Sequence, residues 1–226
     1  NPDAFIQTNA SVHNNVRYQD WRILKTQFLL IGTVEKTLFG SLQVKFRLFD
    51  VMQGKEVLSL DLSGEPSKWR KIAHMVADQV FQRVTGEKGY FDSKIVYVDE
   101  SGPRGKNRKH RLAIMDMDGY NSKFITPANK MCLMPRFSSD GKKITYVEYV
   151  NKMARVFLLN LVNRDRKLVG KFKGISFSSS FSPDGKAIAM SVYEGGSSAL
   201  YLLNADSGAK KRLTPHVHER IDISPC

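Results

Sequence analysis

The chain has 226 residues, 42% of them hydrophobic, and carries 35 Lys and Arg against 22 Asp and Glu, a net charge of +13. That is enough apolar material for one large domain or two small ones, and no apolar run is long enough for a membrane-spanning helix; the longest, Phe28 to Gly32, is strand-sized. The basic balance favours nucleic acid, anionic surfaces or acidic partners, and the two cysteines, Cys132 and Cys226, form no C-x-x-C pair of the kind a structural zinc site needs.

The chain begins with Asn1, without a basic-then-apolar leader, so it reads as processed or incomplete at its front. A short helix is predicted near Tyr18 to Thr26. Three strands follow. Gln27 to Glu35 is nearly all apolar and reads as a buried strand. Leu42 to Asp50 alternates, with Leu42, Val44, Phe46 and Leu48 on one face. Lys55 to Ser63 places Leu58, Leu60 and Leu62 on one face, and Val51 to Gly54 is the hairpin loop between the last two strands. The strongest helix runs from about Ser67 to Thr85, where Trp69, Ile72, Ala73, Val76, Val80 and Val84 make one apolar stripe. Pro66 suits its start and Gly86 its C-terminal cap. Residues 1–88 therefore read as a small N-terminal α/β domain, a three-stranded sheet covered by one long helix.

Residues 89–226 repeat. The runs at Ala113 to Asp116, Phe157 to Asn160 and Tyr201 to Asn204 are spaced by 44 residues, as are Ile144 and Ile188. The phrase at Phe137 to Gly141 returns at Phe181 to Gly185. Each copy is expected to form four short strands, the fourth being the segment that enters the next phrase. Such a unit at a period of about 40 to 45 residues is the pattern of a propeller blade. The first copy carries an inserted basic loop, Gly102 to Arg111. Three copies do not close a ring, and Ile223 to Cys226 resembles the start of another blade, so this part reads as an incomplete propeller. The fold class expected is thus α+β, the small α/β domain followed by about three four-stranded blades.

No catalytic constellation emerges. The repeated Asp140 and Asp184 serve turns, as does Asp116 to Gly119, which lacks the later ligands of a calcium loop. Gly195 to Ala199 lacks the final glycine of a serine-hydrolase elbow. His216 and His218 stand two apart in a loop and could ligate a metal only with help from elsewhere, and His74 lies in the long helix, at its rim rather than at a site. The basic loop, with Arg104, Lys106, Arg108, Lys109 and Arg111, has no interleaved aromatic residue for base stacking, and no nucleic-acid partner is expected. No cofactor is called for. The expected role is a rigid binding platform.

Several phrases resemble the TolB family of the bacterial Tol–Pal system. They are Asp20 to Val34, Trp69 to Val98, Met115 to Thr126 and the two Phe-Ser-x-Asp-Gly repeats; the T-G-x-K-G-x-F junction at Thr85 to Phe91 is the most specific. The resemblance implies a non-enzymatic periplasmic scaffold whose six-bladed propeller binds the peptidoglycan-associated lipoprotein Pal. It also implies that an N-terminal segment engages the inner-membrane protein TolA, and that the system supports outer-membrane integrity and envelope constriction at division. Relative to the family, the front of the α/β domain, the TolA-binding segment and about half of the propeller are missing here. Carried onto this sequence, the Pal face falls on loops entering the blades: Met131, Met134, Ile175, Ser176, Ser178, Asp222 and Ser224. The alternative reading is the N-terminal propeller part of a serine peptidase of the prolyl-oligopeptidase type, with its catalytic domain elsewhere.

Overall fold

The structure, a computed structural model, describes residues 16–103, 105, 108–215 and 220–225, and the chain falls into two compact units divided between Ser93 and Lys94. In the first unit, α1 (Tyr18–Ile23) precedes an antiparallel meander of β1 (Phe28–Lys36), β2 (Leu42–Asp50) and β3 (Lys55–Gly64). Alternation on β2 and β3 sets the core. Leu48 pairs with Leu58, Phe46 with Leu60 and Val44 with Leu62, so all six point to one face. Arg22 ties α1 to the β2–β3 turn by donating from Nε and Nη2 to the carbonyls of Val51 and Met52, each at 3.0 Å.

A 3-10 turn (Pro66–Lys68) leads into α2 (Trp69–Thr85), which packs on β3 and β2. Gly64 permits the contact: a Cβ there would sit 3.2 Å from Ile72 Cδ1. The sequence reading of β1 as a buried strand is corrected. β1 is an edge strand beyond the reach of α2, and Leu30 and Val34 remain 48% and 66% exposed. A single helix, about 10 Å wide, does not cover three strands spaced nearly 5 Å apart. The uncovered strip forms an apolar cleft of about 510 Å³, with Leu30, Val76, Val80, Phe81, Val84 and Phe91 in its walls.

The T-G-x-K-G-x-F phrase is a helix stop. Gly86 takes φ +80° as the C-terminal cap, and Thr85 Oγ1 donates to the Phe81 carbonyl at 2.8 Å and accepts from the Glu87 amide at 3.1 Å. The chain then doubles back so closely that a Cβ on Gly89 would collide with the backbone of Asp78. Asp78 Oδ1 accepts the Phe91 amide at 2.6 Å, and the Phe91 ring packs edge-on against Phe81, 5.9 Å between centroids.

Among its described residues the second unit contains three sheets. The first holds β4 (Lys94–Ser101), β5 (Lys109–Asp116) and β6 (Lys123–Phe124). The second holds β7 (Cys132–Phe137), β8 (Lys143–Val150), β9 (Met153–Asn160) and β10 (Arg166–Leu168). The third holds β11 (Ile175–Phe181), β12 (Ala187–Glu194), β13 (Ser197–Asn204) and β14 (Lys210–Arg212). These are consecutive antiparallel blades of an open propeller. The expected grouping is shifted by one strand: β7 and β11 pair with the strand that follows the repeated phrase, so each opens its own sheet instead of closing the one before. The phrase is a tight hairpin turn, which makes its two flanking strands neighbours. Each blade ends in a very short outer strand, and these outer strands read Lys-Phe, Arg-Lys-Leu and Lys-Lys-Arg.

The turns are built alike. Ser182 Oγ donates to Asp184 Oδ1 at 2.5 Å, which in turn accepts the Lys186 amide at 3.0 Å, and Gly185 adopts φ +69°. Ser138, Asp140, Lys142 and Gly141 repeat the arrangement at 2.6 Å, 3.0 Å and φ +67°. Both aspartates are held below the usual carboxylate range, first by the serine hydroxyl and then by the backbone amide. Between the second and third sheets lies the main core, with Val156, Leu158, Ile188, Met190 and Leu203 buried. A second cluster, Leu112, Cys132, Tyr146, Phe157 and Leu159, fills the space between the first and second sheets.

Candidate partner-binding surface

The inner strands β7 and β11 each carry a β-bulge, one between Leu133 and Arg136, the other between Phe177 and Ser179. At each bulge a residue other than glycine adopts the left-handed conformation: Met134 at φ +52° and Ser178 at φ +47°. Ser224, the corresponding residue of the extended segment after the third sheet, has φ +57°. Bulges re-aim side chains, and a left-handed non-glycine residue is strained, a feature that concentrates at functional sites. The repeat therefore sets one strained position per inner strand at the same level.

The other residues singled out from the sequence lie at the starts of these segments. Met131 immediately precedes β7 and Ile175 opens β11; with Met134 they are 41%, 37% and 55% exposed. Ser176 is buried, opposite Val192, and offers no side chain to a partner. Asp222 accepts from Arg220 Nε at 2.8 Å, and its backbone N–H and carbonyl bracket the Ser198 hydroxyl at 2.6 and 2.8 Å. Arg220, with Thr214 and Arg212, holds the Asp222 carboxyl below its usual range. Met131, Ile175 and Asp222 thus lie towards one end of successive inner segments, with Met134, Ser178 and Ser224 two to three residues further along.

Opposite Cys132, the residue after Met131, is a buried ionic group that the sequence does not announce. Glu148 faces Cys132 across the β7–β8 ladder with its side chain only 2% exposed. Its carboxylate meets Arg166 Nη2 at 2.5 Å and Lys130 Nζ at 3.2 Å. Arg166 also donates from Nε to the Tyr146 hydroxyl at 2.8 Å and lies over the Phe157 ring, 3.6 Å from its centroid. Burial pushes the Cys132 thiol up to about 11 and the Tyr146 hydroxyl up to about 12. Both are therefore neutral at physiological pH, and the group ties Lys130, the residue before Met131, to Glu148 on β8. The available signal was a glutamate inside the otherwise apolar and aromatic run Tyr146 to Val150, where the next repeat has Val192.

The remaining sequence candidates resolve as follows. Gly195 and Gly196 both have positive φ and make the two-residue turn between β12 and β13. Gly119, at φ +84°, closes the turn on Asp116, whose buried carboxylate pairs with Lys94 and accepts from Asn121 at 2.7 Å. His74 lies in α2. His216, His218, Arg104, Lys106 and Cys226 lie outside the described residues. Among the described residues, no group of three His, Cys, Asp or Glu is placed to hold a metal, and no helix is long and apolar enough to cross a membrane.

A family model described as the TolB amino-terminal domain matches residues 1–57, and one described as the TolB beta propeller domain matches residues 81–226. The chain is 42% identical over 176 residues to the Tol-Pal system protein TolB of Pelagibacter ubique (strain HTCC1062), covering 78% of this chain and 39% of that one. The corresponding protein of Paramagnetospirillum magneticum (strain ATCC 700264 / AMB-1) is 43% identical over 176 residues, with the same 78% and 39% coverage. The crystal structure of TolB from Acinetobacter baumannii superposes with a TM-score of 0.81 at 29% identity, over 89% of this chain and 50% of that one. The chain thus spans 39% of the length of these curated relatives.

Proposed function

The chain belongs to the TolB family, and from that premise we propose that it is a non-enzymatic component of the Tol–Pal system that works as a protein-binding scaffold. Its partner on the propeller is the lipoprotein Pal, and TolA is the partner of the family's N-terminal segment, which these residues do not include. The place of action is the periplasm, and the role is support of outer-membrane integrity and envelope constriction at division. The names of the curated relatives support the Tol–Pal assignment. The amino-terminal match favours it over a peptidase propeller.

The single observation behind the binding face is the recurrence of a strained, non-glycine position at Met134, Ser178 and Ser224. With Met131, Ile175 and Asp222 these form the proposed Pal surface, and buried Ser176 supports it from below. The test is titration of the soluble domain of the cognate Pal into this chain and into the complete gene product. Binding weakened about tenfold by Met131→Ala with Met134→Ala is expected, since exposed apolar anchors carry interface energy. Absence of Pal binding by the complete product overturns the reading.

A further inference from the structure

The two ends of the blades differ in charge. At the end away from Met131 every described turn holds an aspartate: Asp116 and Asp118, Asp140, Asp165, Asp184 and Asp206. Lys94 and Lys143 pair with Asp116 and Asp206, and Lys142, Arg164 and Lys186 stand in or next to the same turns, so that end is nearly balanced.

The strand ladders define the other end. Cys132 pairs with Glu148 and Val150 with Met153, which brings Met131 and the Asn151-Lys152 turn to one level. The Tyr149 amide donates to the Met131 carbonyl at 3.1 Å. Ile175 pairs with Tyr193 in the third sheet. Arg155, near the start of β9, bridges the two blades by donating to the carbonyls of Gly174 and Lys173, the latter at 3.5 Å. In the first sheet Ser101 pairs with Lys109 at the corresponding end.

Here the acids do not take up the positive charge. Asp99 pairs with Arg111, Glu100 with Arg108 and Asp222 with Arg220, while Glu148 has both Lys130 and Arg166. Glu194 is the one acid of this end, among the described residues, without an ion pair. Against it stand Lys109, Lys152, Arg155, Lys171 and Lys173, none of which meets a carboxylate among the described residues. The four lysines are exposed. They occupy separate turns, interspersed with the exposed Met131 and Ile175, and do not form a run. Apolar anchors with a charged rim are the layout of a protein interface. A rim of one sign selects a partner of the other and attracts it across a Debye length of water.

We propose that this end of the propeller recognises an acidic protein surface, and that Lys152, Lys171 and Lys173, with Arg155, steer the partner on to Met131 and Ile175. The inference rests on the reading of that surface as the Pal face. It adds what Pal brings to the contact: carboxylates set around an apolar patch.

The experiment is stopped-flow association of the complete gene product with the soluble domain of the cognate Pal across a range of salt. The association rate should fall about tenfold or more between about 0.02 M and about 0.5 M sodium chloride, with the dissociation rate changing little. Lys171→Glu with Lys173→Glu should slow association at low salt about tenfold. Lys142→Glu with Lys186→Glu, the same change of charge at the far end, should stay within about twofold of the parent. Pal that associates at a rate indifferent to salt overturns this inference and leaves the Pal reading standing. No binding at any salt overturns both. Equal slowing by the two double variants marks a general effect of net charge and overturns the steering role of this end.

Discussion

Arg166, on the short outer strand β10, reaches inward to Glu148 on β8 and meets its buried carboxylate at 2.5 Å. The two ends differ in hydration: the Glu148 side chain is 2% exposed and that of Arg166 38%. Removing the arginine leaves a carboxylate that water does not reach with Lys130 as its remaining ionic partner; removing the glutamate leaves a guanidinium that water does reach. Arg166→Met should therefore cost about 2–3 kcal/mol and Glu148→Met distinctly less. Urea denaturation midpoints measure both, and equal losses would show that the pair is not desolvated as described.

The hairpin turns make a pH prediction. Asp140 and Asp184 have carboxyls held below their unfolded value, so they stabilise the fold above about pH 4. That contribution fades as pH falls through their lower native values. The variant carrying Asp140→Asn and Asp184→Asn should be less stable than the parent at neutral pH, and the difference should shrink towards pH 2. Thermal unfolding followed by circular dichroism from neutral pH down to about pH 2 tests this.

Met134 is strained by its own backbone conformation. Met134→Gly removes that strain, and the exposed side chain gives up little packing in return. Stability should be unchanged or raised by up to about 1 kcal/mol, while affinity for Pal, the proposed partner, falls. A variant that loses stability and keeps affinity would mark the bulge as purely structural.

The helix stop predicts a sharp intolerance at Gly89. A side chain there collides with Asp78 and breaks the bond from the Phe91 amide. Gly89→Ala should destabilise the first unit by about 2 kcal/mol or more, whereas Gly86→Asn, at a cap that tolerates asparagine, should cost less than about 1 kcal/mol.

Cys132 is fully buried, with its thiol pushed up to about 11. A maleimide at neutral pH should spare it in the native chain and reach it only once denaturant is added. Peptide mass spectrometry distinguishes it from Cys226.

Much of the architecture is legible without coordinates because it is written locally. Pro183-Asp184-Gly185 specifies its turn by chemistry, and the 44-residue spacing specifies the blade. β2 and α2 show their faces by period. Two things were not local. The exposure of β1 depends on where α2 lands on the sheet, and Gln27 to Glu35 has the same apolar composition whether covered or bare. The strand that opens each blade was assigned to the wrong neighbour because sequence order alone does not say which flank of a turn belongs to which sheet. Glu148 escaped notice for a related reason: its partners, Lys130 and Arg166, stand 18 residues away on either side and converge only through the pairing of β7, β8, β9 and β10.

The outer rim of the blades has a consequence for life in a crowded compartment. Strands of two or three residues, each bearing lysine or arginine, offer a neighbouring molecule too few free backbone groups to extend a sheet, and like charge repels a second rim. The rims of two copies can therefore lie side by side without zipping together, a protection that the nine-residue edge strand β1 does not share.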